Sequence, residues 1–405
     1  MSDADEELMK IQKLQFSDKE TAEHMVRDWF ERYLKLKVDS VRLVPKAISL
    51  NSFNGFYTVD EEEYFFKTHV EEMGIGQEYY DAQVMHQAGY NIVLPLRSIQ
   101  KYGQQMVIYP VIRWPEMFNL MRACETGNNT SNVTVEQLVA AERHECKRLL
   151  EIYDTTLKFS SAQENAQAKI YQLFWHRLAG ERLQNFYMGE QVPLPDQERS
   201  SIPFADLLSY RWVVNGKPIS VDGEQPMLGM LIERGKSVLN PQRELWTVVG
   251  HGDAHFGNVF LEEDKRYLYF DPAFAGHHSP LLDIVKPFFH NVFAMWMYFG
   301  SDVARELQIS VELRDEMVYV EHNYNLPSIR QAMLETKQEQ LLKPLIELMR
   351  KRGVLPEDWR EVLRSALLCC PLLTIDMLRR LPVSVCWLGL SQVMQMGTFE
   401  FDQYI

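Results

Sequence analysis

One stretch constrains the chain more than any other: TVVGHGDAHFGNVFLEEDKRYLYFDPAFAG, residues 247–276. The apolar run TVVG reads as a strand. It feeds a short glycine-containing loop that holds His251, Asp253, His255 and Asn258. A second strand (VFL), an acidic turn (EEDK) and a third strand (YLYF) then carry the chain to Asp271. A hairpin with polar residues at both strand ends gathers Asp253, Asn258 and Asp271 at one end, because the turn reverses the chain. Two or three oxygen donors there suit a hard divalent cation such as magnesium.

The rest of the chain splits by pattern. Residues 17–37 predict an amphipathic helix, with Ser17 and Glu20 spaced as a capping box. From Ser40 to about Leu96 the segments VRLVPKAISL and EEEYFFKTHV are short, β-branched or aromatic, and SFNG between them reads as a turn. A helix near residues 78–87 ends at Gly89, and QQMVIYPVI is a further strand that stops around Trp114-Pro115. The first 113 residues therefore form a small mixed unit. Residues 114–405 are expected to be mainly helical, interrupted by the hairpin signal Asn215-Gly216 and by the 247–276 segment. From Leu282 to the end helical spacing is expected to continue, with Gly353 as a C-cap.

Composition narrows the class. With 405 residues, 46% hydrophobic and 24% charged, the chain has ample material for a core, which excludes general disorder. Forty-two basic against 56 acidic residues give a formal charge of −14, which argues against a global grip on nucleic acid or an anionic membrane. Five cysteines without CxxC spacing argue against a disulfide framework or a cysteine zinc site. The acidic start MSDADEELMK is no signal peptide, and ALLCCPLLTI is too short to span a bilayer, so a cytoplasmic location is expected. Oligomeric state is not encoded in any of these features.

HGDAHFGN followed by FDPAFAG resembles the catalytic loop and metal-binding segment of the aminoglycoside phosphotransferase and choline kinase-like family. The family pattern is H-G-D-x-H-x-x-N, then D-x-x-x-x-G, here Asp271 to Gly276. The resemblance covers roughly residues 40–300 in order of elements. It implies an α+β, two-lobed protein-kinase-like fold, with a small strand-rich N-lobe (1–113) for nucleotide and a large, mainly helical C-lobe (114–405) for catalysis and acceptor. It also implies an ATP- or GTP- and Mg2+-dependent transfer of the γ-phosphoryl group to a hydroxyl of a small molecule of aminoglycoside, sugar or amino alcohol type.

The resemblance assigns roles position by position. Asp253 would orient the acceptor hydroxyl and take its proton late in a loose transition state. Asn258 and Asp271 would hold Mg2+ on the nucleotide phosphates. His251 and His255 would brace the loop, Gly252 and Gly257 would permit its tight backbone, and Asp283 would hold the loop from a following helix. Lys67 would reach the α- and β-phosphates, with Glu78 as its ion-pair partner and Asp81 as the competing choice. Tyr109, Pro110 and Val111 would lie at the inter-lobe linker beside adenine. The loop SLNSFNGFYTV has only Gly55, so phosphate contacts from backbone amides at Ser52–Gly55 are the weakest assignment.

Three other readings compete. His251, Asp253 and His255 alternate as an H-x-D-x-H cluster, which on an extended segment suits zinc in a metallohydrolase. That leaves Asn258, Asp271 and Lys67 unexplained. A catalytically silent kinase-like binding protein is opposed by the complete Lys67, Asp253, Asn258 and Asp271 set. A protein kinase is opposed by the short interval between Asp271 and Asp283, with no APE-type segment.

Overall fold

The computed structural model describes residues 3–44, 52–69, 75–99, 106–128, 132–195 and 200–401. The fold is α+β and divides into two compact units, Met1–Pro115 with Leu268–Ala273, and Glu116–Tyr267 with Phe274–Ile405. The sequence pattern puts the division at 113/114; the first compact unit runs to Pro115 and includes the short return of residues 268–273.

The first unit is built on a five-stranded antiparallel sheet, β1 (Ser40–Leu43), β2 (Ser52–Val59), β3 (Glu62–His69), β4 (Arg97–Ile99) and β5 (Met106–Pro110), in the order β1-β2-β3-β5-β4. Helices α1 (Asp3–Ser17) and α2 (Lys19–Trp29) precede it, and α3 (Ile75–Gln87) lies between β3 and β4. Alternation along a strand sends neighbouring side chains to opposite faces. Phe66, Met106 and Ile108 join Leu8, Ile11, Val26, Trp29 and Phe30 in one apolar core. Lys67 opposes Val107, and Phe65 opposes Tyr109, so these four occupy the other face.

Several local expectations are corrected. The helix begins at Lys19 with Asp18 as N-cap, its carboxylate accepting from the Thr21 N–H at 3.2 Å, and α1 fills the preceding residues. SFNG is no turn: Ser52 and Gly55 lie inside β2, where Gly55 pairs with Leu43 on one side and Phe66 on the other. A Cβ on Gly55 would lie 2.5 Å from the Arg42 carbonyl oxygen, so the glycine serves a close strand approach. The segment between β1 and β2, residues 45–51, lies outside the described residues. The hairpin turn is Asp60-Glu61 instead, both at positive φ as a two-residue turn of this hand requires.

In the second unit, α4 (Met117–Glu125) leads to α5 (Val135–Thr156), whose capping box pairs Thr134 with Gln137. Helices Trp359–Thr374 and Val383–Gly397 are buried along most of their length. Strand Leu245–Gly250 lies between Lys158–Ser160 and Gly276–His278, antiparallel to both, with Gly250 opposite Gly276. Asn215-Gly216 turns between strands Arg211–Val214 and Lys217–Pro218, and Gly353 caps its helix at φ 69°. The run after Leu282 is not wholly helical. Ile309–Arg314 and Met317–His322 form a second hairpin, closed by Asp315-Glu316 at positive φ. Among the described residues, no helix is long and apolar enough to cross a membrane.

Candidate active site

The strand Leu245–Gly250 ends on the loop His251–Asn258, and almost every polar group of that loop is held. Asp283, from the short helix Pro280–Asp283, accepts from the Gly252 N–H at 2.6 Å. Its carboxylate also meets His278 Nε2 at 2.9 Å and accepts from the Tyr153 hydroxyl. Burial pushes the Asp283 carboxyl up, but these hydrogen bonds outweigh it and hold it below the usual carboxylate range. Gly252 stands at φ 79°, a conformation that favours glycine.

Both histidines of the loop use Nδ1 internally. His251 Nδ1 accepts from the Asp253 N–H at 3.3 Å, and His255 Nδ1 accepts from the Gly257 N–H at 3.1 Å. Asn291, on helix Val285–Val292, accepts from the Phe256 N–H at 2.7 Å. Asn258 donates its amide Nδ2 to the Asp253 carbonyl at 3.0 Å, which fixes the side-chain plane and leaves Oδ1 as the outward acceptor.

Asp253 itself is held by charge rather than by hydrogen bonds. Lys286 Nζ lies 3.5 Å from Oδ1, and His255 Nε2 lies 3.8 Å from Oδ2. Oδ1 is buried with no hydrogen-bond partner among the described residues. Burial pushes this carboxyl up, yet Lys286 first, then His255, His251 and Arg177, hold it below the usual range. The group is a carboxylate with an acceptor lone pair to spare.

In the first unit, Lys67 Nζ meets Asp271 Oδ1 at 2.7 Å. Asp271 reaches it because the segment after Tyr267 docks on this unit. Tyr269 exchanges backbone hydrogen bonds with Asn91 and Val93 at 2.8 and 2.9 Å, and the Phe270 ring meets Phe65 and Tyr109. Asp271 takes φ 57°, a left-handed conformation that aspartate tolerates better than most residues. Asn54, opposite Lys67 on β2, is buried, and its Oδ1 has no partner among the described residues.

Glu78 lies on α3, but its side chain is outside the described residues, and Asp81 on the same helix is buried. Tyr109 is buried in β5 and Val111 follows the strand end. Ser52 and Gly55 stand in a paired strand. His278, Tyr153 and Asn291, which brace the loop, and Lys286, His290 and Arg177 around Asp253 were not foreseen from the sequence. One signal was present: Lys286 and His290 are four apart in LLDIVKPFFHNVF, so two polar groups share a helix face that is buried.

Among the described residues, no group of three or more His, Cys, Asp and Glu side chains gathers as metal ligands. The Asn258 amide oxygen in the second unit and the Asp271 carboxylate in the first are each hard oxygens of the kind magnesium takes.

No known family model matches this chain, and no curated protein does. Among solved structures it is similar to spectinomycin phosphotransferase in complex with ADP and spectinomycin, at 13% identity over 92% of this chain and 98% of that one, TM-score 0.44. It is similar also to glucosamine kinase in complex with glucosamine, ADP and inorganic phosphate (14%, 88% and 80%, TM-score 0.47). A third is Plasmodium vivax ethanolamine kinase (10%, 100% and 96%, TM-score 0.47).

Proposed function

We propose that this protein is a two-lobed, protein-kinase-like phosphotransferase that moves the γ-phosphoryl group of ATP or GTP to a hydroxyl of a small molecule. The observation that carries the reading is the state of Asp253: a charged, largely buried carboxylate whose Oδ1 accepts no hydrogen bond, in a loop otherwise fully braced. A free acceptor of this kind is what an incoming hydroxyl needs.

Asp253 accepts a hydrogen bond from the acceptor hydroxyl and points its oxygen at the γ-phosphorus. As the new O–P bond forms, the bond to the β,γ-bridging oxygen breaks, and the hydroxyl proton passes to Asp253 late. Asn258 and Asp271 would hold Mg2+, which would supply charge neutralisation on the phosphates. Lys67 holds the α- and β-phosphates, with the backbone at Tyr109–Val111 beside the base. Asp283 and Asn291 act as positioning residues, because both bind the loop backbone and neither faces the reacting atoms.

The test is nucleotide binding with and without Mg2+. Wild type should bind ADP in a magnesium-dependent way, and Asp271→Ala should lose that dependence. Asp253→Ala should keep nucleotide affinity and lose transfer. Wild type that binds no nucleotide would sink the reading. Stoichiometric zinc in the purified protein would favour a hydrolase built on His251, Asp253 and His255.

A further inference from the structure

Helix Val285–Val292 meets the loop His251–Asn258 at two points. Near its start, Lys286 Nζ lies 3.5 Å from Asp253 Oδ1. At its end, Asn291 Oδ1 accepts from the Phe256 N–H at 2.7 Å. Asp253 and Phe256 are three residues apart in the loop, so the position of this one helix sets both contacts together. A helix ends on four carbonyls without intrahelical donors, and partial negative charge collects there. Asn291 stands in that last turn, and its carbonyl accepts from Arg330 Nη1 at 2.8 Å.

Arg330 is fully buried on helix Ser328–Lys337. Its Nε donates to Glu125 Oε2 at 3.0 Å, and its Nη2 lies 2.9 Å from the same oxygen. Glu125 is the last residue of α4, and its other carboxylate oxygen pairs with Arg122 at 2.9 Å. Neither charge suits its own helix. Arg330 stands in a first turn, where the macrodipole disfavours a cation, and Glu125 in a last turn, where it disfavours an anion. Stability does not account for the pair either, since desolvating two ions consumes most of their attraction and apolar packing would serve as well. What arginine adds here is reach: one planar fork spans the Glu125 carboxylate and the Asn291 carbonyl at once, which a lysine or an apolar residue does not.

We propose that Arg330 is a positioning residue of the candidate site: anchored on Glu125, it fixes the C-terminal end of helix Val285–Val292 and so sets Asn291 against Phe256 and Lys286 against Asp253. Its effect on turnover rests on the phosphotransferase reading, whereas its effect on the loop does not. Arg330 acts through Asn291 and not on the reacting atoms.

Amide hydrogen exchange of the full chain tests this, read by mass spectrometry over the loop His251–Asn258 and over the helix Val383–Gly397, alongside steady-state hydrolysis of MgATP with water as acceptor. Arg330→Lys keeps a cation beside Glu125 but does not span both acceptors. It should speed exchange in the loop about 10-fold and lower kcat about 10-fold at unchanged KM for MgATP, as expected for one lost charge-assisted hydrogen bond. Exchange in helix Val383–Gly397 should stay at the wild-type rate. Glu125→Gln combined with Arg330→Gln removes both charges, leaves neither ion of the pair uncompensated, and should loosen the loop in the same way. Wild-type loop exchange in either folded variant overturns the proposal, as does a loosened loop with wild-type kcat. An equal rise in both segments, or failure of both variants to fold, makes Arg330 a support of the whole helical unit and overturns it too. Should wild type bind no MgATP, the phosphotransferase reading falls by itself, and loop exchange still decides the role of Arg330.

Discussion

Lys67 and Asp271, 204 residues apart in the chain, form an ion pair at 2.7 Å. β3 puts Lys67 on the sheet face opposite the helical core, and the docked segment Tyr269–Asp271 delivers the carboxylate to it. The pair is partly exposed, 13% for the lysine side chain and 31% for the aspartate, so its worth to the fold is at most about 1 kcal/mol. On the proposed function, Lys67 and Asp271 serve ligand binding more than stability.

Lys67→Ala should therefore leave the urea midpoint within about 1 kcal/mol of wild type while lowering nucleotide-dependent turnover about 100-fold or more. Parallel urea melts and steady-state rates check this. A large loss of stability with an equal loss of activity would make the pair structural.

Asp283 makes the contrary prediction. It is buried and holds three partners, Gly252, His278 and Tyr153, so Asp283→Ala should cost about 3–5 kcal/mol by leaving their polar groups unpaired. Its pKa is depressed in the folded state, so its contribution is present above the unfolded carboxylate value, about 3.9, and is lost as pH falls through the folded value. Unfolding free energies of wild type should drop between pH 5 and pH 3 more steeply than those of the variant. Parallel slopes would refute the assignment.

Gly250 predicts a steric loss. A Cβ there would lie 2.5 Å from both the Asp283 carboxyl carbon and His278 Nε2, so Gly250→Ala must displace the brace of the loop. The expected cost is about 1–3 kcal/mol with a fall in turnover at unchanged ADP affinity, read by thermal melts and kinetics. A variant as stable as wild type would show that the brace yields freely.

What the sequence revealed and concealed follows from distance along the chain. The loop His251–Asn258 and the hairpin after it were legible because their polar groups are close in sequence and bounded by strand patterns. Asp283 was legible only through family resemblance; its partner Tyr153 was not, since it lies 130 residues away, and His278, though close in sequence, is aimed at it only once strand Gly276–His278 pairs beside Gly250. The burial of Lys286 was not foreseen, because burial of a long cation is decided by tertiary packing. The two unforeseen turns share one cause. Asp60-Glu61 and Asp315-Glu316 both adopt positive φ without the glycine that normally signals it, and the strand pairing around them supplies the stability that the turn residues lack. The alternation in ISVELRDEMVYVEH was present, but was subordinated to the helical spacing around it.

A buried pair outside the site tests how the helical unit is held. Lys337 Nζ meets Glu142 Oε1 at 2.5 Å with both side chains 4% exposed, joining α5 to helix Ser328–Lys337. Tyr267 donates to the second carboxylate oxygen at 2.8 Å. Desolvating both ions consumes most of the attraction, so the pair contributes little net stability, but either ion alone is expensive to leave. Lys337→Met should cost about 3–5 kcal/mol, because Glu142 stays buried with its charge uncompensated. Adding Glu142→Leu should recover most of that loss, short of about 1 kcal/mol for the Tyr267 hydroxyl left without its acceptor. The double-mutant cycle by urea unfolding checks the coupling. Additive losses would mean that the two groups are solvated independently and that some other contact holds the helices together.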